Sequence, residues 1–209
     1  MKIIKYFFEF VTIISLFCIF KIIGLKNASN LGSVLGRFIG PFFRSKRITK
    51  QNIKIGLGEL DQKKETEIIN SMWSNIGRTF AEYPFLKDFK FNKINFDHIK
   101  INGTKYLDEI KKNNEPTIFY SCHFANFELM AMELDKFGIK CAAIYRPLNN
   151  FFLNPLMEYL RMKYICPNQI PKGRMGMREI ISKVKDGYSI ALMVDQRVSE
   201  GPRTPFFNK

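Results

Sequence analysis

The chain has 209 residues, 46% of them hydrophobic, and a formal charge of +14 at pH 7. This length supports one domain with a sizeable core, and the composition excludes a disordered tail. The charge calls for an anionic partner (nucleic acid, anionic lipid or an acidic protein), and four Cys without CxxC spacing beside only two His argue against a zinc site.

The most apolar stretch is 3–25, IIKYFFEFVTIISLFCIFKIIGL. Its uncharged centre, Phe10 to Phe20, is short for a membrane span, but with Lys5 and Lys21 snorkelling the whole stretch reaches spanning length. We read 1–25 as a membrane anchor or interfacial helix and 26–209 as the folded domain. From Val11 to Gly58 there is no acidic residue, while Lys21, Lys26, Arg37, Arg44, Lys46, Arg47, Lys50 and Lys54 all fall there. Next to an anchor, this pattern reads as a cytoplasmic face on anionic membrane lipids. Nucleic acid is disfavoured, because no zinc-finger, helix-turn-helix or RNP-type signature is present.

Further along, Asp61 is an N-cap candidate for a helix over 61–86, with Ile68, Ile69, Met72, Trp73, Ile76 and Phe80 as its apolar stripe and Pro84 near its end. Trp73 reads as core. The rhythm then changes. Residues 94–101 alternate like a strand, 103–112 suit a short helix, and 116–122 form a buried strand. A helix over 124–137 closes at Gly138, and 139–145 are a strand. Helices over 153–162 and 174–185 and a strand over 188–194 complete the pattern. Alternation of this kind predicts an α/β fold with a largely parallel central sheet flanked by helices. Cys18, Cys122, Cys141 and Cys166 lie in apolar runs and read as reduced, buried thiols.

His123 sits where a strand gives way to a helix, five residues before Glu128. Residues five apart on one helix point about 140° away from each other. The two meet if His123 ends the strand and Glu128 lies in the first turns of the helix. The carboxylate then orients one ring nitrogen and leaves the other as a base. By itself the spacing is equally that of a hydrogen-bonded, non-catalytic His. Ser121 and Cys122 are adjacent but lie in no nucleophile elbow. A base without a protein nucleophile suits direct attack by a substrate hydroxyl.

HFANFE (123–128) resembles the HxxxxD/E block of the lipid A biosynthesis lauroyl/myristoyl acyltransferases, the late acyltransferases, which typically read HFGNWE. IYRPLNNFFLNPLMEYLR (144–161), RMGMREI (174–180) and ALMVDQRVSEGPRTPFF (191–207) resemble the family's later blocks in order, and NIGRTFAEYP (75–84) and the N-terminal anchor also fit. The resemblance covers essentially the whole chain. It departs at Ala125, Phe127 and Asn208, where the family has Gly, Trp and Gly. It also stops at Lys209, where the family continues, so the C-terminal part of the fold is expected to be missing and activity of the shortened chain is in question.

The resemblance implies a glycerolipid-acyltransferase-like fold on the cytoplasmic face of a bacterial inner membrane. It implies transfer of a fatty acyl chain from acyl carrier protein to a hydroxyl of a lipid A precursor, with neither metal nor other cofactor. His123 would be general base with Glu128 as its orienting partner. Asn126, Arg146, Arg161, Arg174 and Asp195 would be substrate contacts, Asp195 being equally a structural cap. The alternatives are an acyltransferase for a lysophospholipid or glycerol phosphate, and an inactive membrane lipid-binding protein.

Overall fold

The computed structural model describes residues 2–91, 99–196 and 205. The apolar N-terminus forms α1 (Lys2–Ile23). At 1.5 Å per residue it is about 33 Å long, the thickness of a bilayer's hydrocarbon core. By length and composition it could cross a membrane, and just 11% of its apolar window is buried. The basic stretch that follows is also helical: α2 (Leu25–Ile39), a 3-10 turn (Gly40–Phe42) and α3 (Lys46–Leu57). The helix expected over 61–86 is α4 (Gln62–Glu82), with the Asp61 carboxylate accepting from the Lys64 N–H at 2.8 Å. Pro84 then lies in a 3-10 turn (Tyr83–Phe85) that leads into the short α5 (Leu86–Lys90). Proline has no N–H to continue the ladder.

The described residues pack as two units, one of 2–19, 84–91 and 99–195, the other of 20–83 with 196 and 205. In the second, α2 and α4 meet backbone to backbone. A Cβ placed on Gly77 would lie 2.0 Å from the Gly32 carbonyl oxygen, and one on Gly36 would lie 2.2 Å from that of Trp73. Trp73 is buried as expected, its ring against Gly40. The Ser33 and Ser74 hydroxyls share a hydrogen bond of 2.7 Å across the contact.

The first unit carries the sheet. After α6 (Thr104–Asn113) come β1 (Ile118–Ser121), α7 (Glu128–Lys136), β2 (Cys141–Tyr145), α8 (Asn154–Tyr164), β3 (Asn168–Pro171), α9 (Arg174–Lys185) and β4 (Ser189–Met193). All pairings are parallel, in the order β1-β4-β2-β3. The connections β1→β2 and β2→β3 run one way across the sheet and β3→β4 runs back. Right-handed crossovers therefore put α7 and α8 on one face and α9 on the other. Ala142, Ile170 and Ile190 form the buried centre, with Ile144, Ile180 and Leu192 packed against them.

The α/β expectation holds, with differences in detail. The strand expected over 94–101 falls largely outside the described residues. β3 escapes the apolar pattern because its sequence is NQIP, and Ile170 is its buried residue. The helix expected from 124 starts at Glu128. Gly138 closes it at φ +83, with the Ile139 N–H bonded to the Leu134 carbonyl. Of the four thiols, Cys141 and Cys166 are buried, Cys122 is half-buried and Cys18 is exposed, so the buried reading fails for Cys18, which lies on the uncovered side of α1.

Candidate active site

The carboxyl ends of parallel strands leave a crevice where α/β proteins place their sites. Here β1 and β4 are neighbours, with Ser121 beside Met193. Two residues beyond that pair, His123 and Asp195 face each other. Asp195 grips His123 twice: Oδ2 accepts the backbone N–H at 2.9 Å, and Oδ1 lies 2.6 Å from ring Nδ1. With the proton on Nδ1, the basic lone pair is on Nε2. The ring also stands edge-to-face against Phe127, with centroids 4.4 Å apart. Burial pushes the Asp195 carboxyl up, but the two hydrogen bonds and the charge of His123 outweigh it, and the net shift is downward.

The loop between β1 and α7 turns sharply. The Phe124 N–H bonds the Cys122 carbonyl at 2.7 Å, and Ala125 adopts φ +43. That is the left-handed region where glycine is at ease, so Ala125 sits in a strained position. Asn126 is in the same loop.

Glu128, the first residue of α7, is buried. Its Oε1 accepts from Arg161 Nη2 at 2.6 Å and from Arg161 Nε at 3.0 Å. A carboxylate in a first helical turn and a guanidinium in the last turn of α8 both sit favourably in their helix dipoles. Arg161, expected as a substrate contact, is thus engaged by Glu128. The structure also adds a carboxylate that the HxxxxE spacing does not contain: the one at Nδ1 is Asp195, expected on the substrate side or as a cap.

Two further residues of the 144–161 block, Tyr145 and Asn154, converge on Glu158. The Tyr145 hydroxyl donates to Glu158 Oε1 at 2.5 Å. Burial, then this bond, pushes the phenol up to about 12, so it stays a donor. Asn154 donates to the same Glu158 oxygen at 2.9 Å and accepts the Leu148 N–H at 2.7 Å, which fixes the loop after β2. The signal was available: Asn154, Glu158 and Arg161 are spaced i, i+4, i+7 on one helical face.

Arg146 and Arg174 are exposed at the same sheet edge, one directly after β2 and the other opening α9 after β3. The Lys172 N–H bonds the Tyr145 carbonyl at 2.8 Å, tying those two strand ends together. Among the described residues no group of three or more His, Cys, Asp and Glu could hold a metal ion.

A strand-end His clasped by a carboxylate can serve as a general base in more than one chemistry. The sequence decides among them: residues 1–209 match the family described as bacterial lipid A biosynthesis acyltransferase. The chain belongs to that family. It is similar to lipid A biosynthesis acyltransferase 2 of Shigella flexneri, with 24% identity over 166 residues, covering 78% of this chain and 51% of the relative. The chain therefore spans about half the length of this curated lipid A acyltransferase.

Proposed function

We propose that the chain carries the catalytic site of an O-acyltransferase that moves a fatty acyl group from acyl carrier protein to a hydroxyl of a lipid A precursor. The observation that carries the reading is the His123–Asp195 pair at the carboxyl ends of β1 and β4. His123 Nε2 takes the proton of the acceptor hydroxyl as its oxygen attacks the thioester carbonyl. A C–O bond forms, the C–S bond breaks, and the imidazolium returns the proton to the leaving thiolate. Asp195 holds the ring in the productive tautomer and offsets the charge of the imidazolium. Glu128 acts through Arg161, pinning the first turn of α7 and hence the loop that carries His123.

Arg146 and Arg174 meet the phosphates of the acceptor or the carrier, with Asn126 a further substrate contact from the loop. The charge of +14 suits an acidic carrier protein and a phosphorylated lipid. The exposed apolar face of α1 holds the chain on the cytoplasmic side of the inner membrane. No step in this scheme calls on a metal or other cofactor.

The test is acyl transfer by detergent-solubilised full chain, with labelled acyl carrier protein as donor and either a lipid A precursor or a lysophospholipid as acceptor. Transfer to the lipid A precursor, falling by roughly two to four orders of magnitude in His123→Ala, is the expected result. Transfer to the lysophospholipid alone would move the protein to a different acceptor class. Near-normal turnover by a folded His123→Ala variant overturns the general-base scheme.

A further inference from the structure

The packing of α2 on α4 creates a polar concavity made by the helical unit alone. Because Gly32, Gly36 and Gly77 let the two backbones touch, the residues beside them converge into a cleft of about 290 Å³. Among the described residues it is lined by Arg37, Asn70, Ser71, Ser74, Asn75 and Arg78, none of them acidic or apolar. Arg37 directly follows Gly36 and Arg78 directly follows Gly77, so the contact that brings the helices together also sets the two guanidinium groups.

Arg78 is fixed by neutral acceptors. Its Nη1 donates to Ser29 Oγ at 3.1 Å and to Asn30 Oδ1 at 3.0 Å, and the Ser29 hydroxyl in turn donates to Glu82 at 2.9 Å. Among the described residues neither Arg37 nor Arg78 stands in an ion pair, and α2 contains no acidic residue. Two guanidinium forks beside hydroxyl and amide donors in one concave site suit an anion that offers several oxygens in three dimensions. A planar forked anion would be satisfied by one arginine.

We propose that this cleft binds a phosphate group, either in a phospholipid headgroup or as free phosphate. The volume exceeds that of the anion, which leaves room for the atoms esterified to it. The site is independent of the acyltransferase reading: it shares no residue with the His123 site and requires no transfer to occur.

The full chain in a neutral detergent tests it. The probes are inorganic phosphate and a short-chain phosphatidylglycerol below its micelle concentration, titrated at constant ionic strength with chloride as the competing anion. The variants are Arg37→Gln and Arg78→Gln, with Arg44→Gln as a basic control outside the cleft. Saturable binding is expected, weakened by about tenfold or more in each cleft variant, since one charge-assisted hydrogen bond contributes that much. It should be unchanged in the control. Tighter binding of the phosphatidylglycerol identifies a headgroup site, and equal binding of both probes identifies a site for phosphate itself. Because Arg78 also braces α2, Arg37→Gln decides the matter should Arg78→Gln misfold. Non-saturable binding, or equal losses in Arg37→Gln and Arg44→Gln, overturns the proposal in favour of diffuse charge.

Discussion

Asp195 uses both oxygens on one residue, and that double grip gives it a role distinct from that of Glu128. Asp195→Asn keeps the shape but removes the charge and lets the amide select the wrong tautomer. We expect kcat to fall by roughly two to four orders of magnitude with a small change in KM. Glu128→Gln should behave differently. It removes the charge of Glu128 from beside the half-buried Arg161, a loss of up to about 3 kcal/mol, the low end for breaking a buried pair. Its Tm should fall along with its activity, whereas Asp195→Asn should lose activity first. Equal Tm losses in the two variants would make Asp195 a structural residue. The acid limb follows from the lowered Asp195 pKa. A group depressed in the folded state contributes stability above its unfolded pKa, about 3.9, and that contribution is lost as pH falls through the folded value. Asp195→Asn should flatten the stability profile there. The spacing of His123 and Glu128 was legible in the sequence, and so was the DQ dipeptide after the last strand. Their relation was not. It depends on β4 inserting beside β1, and no local pattern encodes strand order.

At the scale of elements, apolar rhythm found β1, β2, β4 and α7 to α9, although it overstated the burial of β1, which ends the described sheet with Ile118 67% and Tyr120 73% exposed. It missed β3, where one isoleucine is buried, and it passed over α2, where the informative residues are glycines. Gly32, Gly36 and Gly40 recur every four positions, the spacing of one helical face, and that face meets Gly77 and Trp73. A methyl group at Gly77 has backbone on the far side and nowhere to go. Gly77→Ala should lower stability by about 1–3 kcal/mol despite alanine's better helix propensity. Gly36→Ala should do the same. The double variant should be less damaging than the sum, since helices already pushed apart no longer meet the second methyl. Thermal unfolding of the four proteins checks this. Additive losses, or a stabilised Gly77→Ala, would mean that the helices do not pack through these glycines.

On the scale of the whole molecule, two attractions to a membrane are separable: apolar burial of α1 and the net charge of +14. Deleting the N-terminus would confound them, because α1 also packs on the protein. Tyr6 and Phe7 stand edge-to-face on Phe151 and Phe152, and the Asn150 amide donates to the Tyr6 carbonyl at 2.9 Å and to Glu9 at 3.1 Å. Phe17 and Phe20 are buried. The opposite side is bare: Ile4 is 63% exposed, Phe8 65% and Ile22 84%. Ile4→Gln, Phe8→Gln and Ile22→Gln together should therefore leave the fold intact while removing apolar area that only lipid would cover. Charge attraction is screened within about 3 Å at 1 M salt, whereas burial of apolar surface is not weakened by screening. The unaltered chain should sediment with anionic vesicles at both low and high salt. The triple variant should sediment at low salt and be released at high salt, with an unchanged Tm. Should it stay bound at high salt, the bare face of α1 is not what holds the protein to the bilayer. If the unaltered chain is itself released at high salt, the charge alone accounts for its membrane binding and α1 lies outside the hydrocarbon.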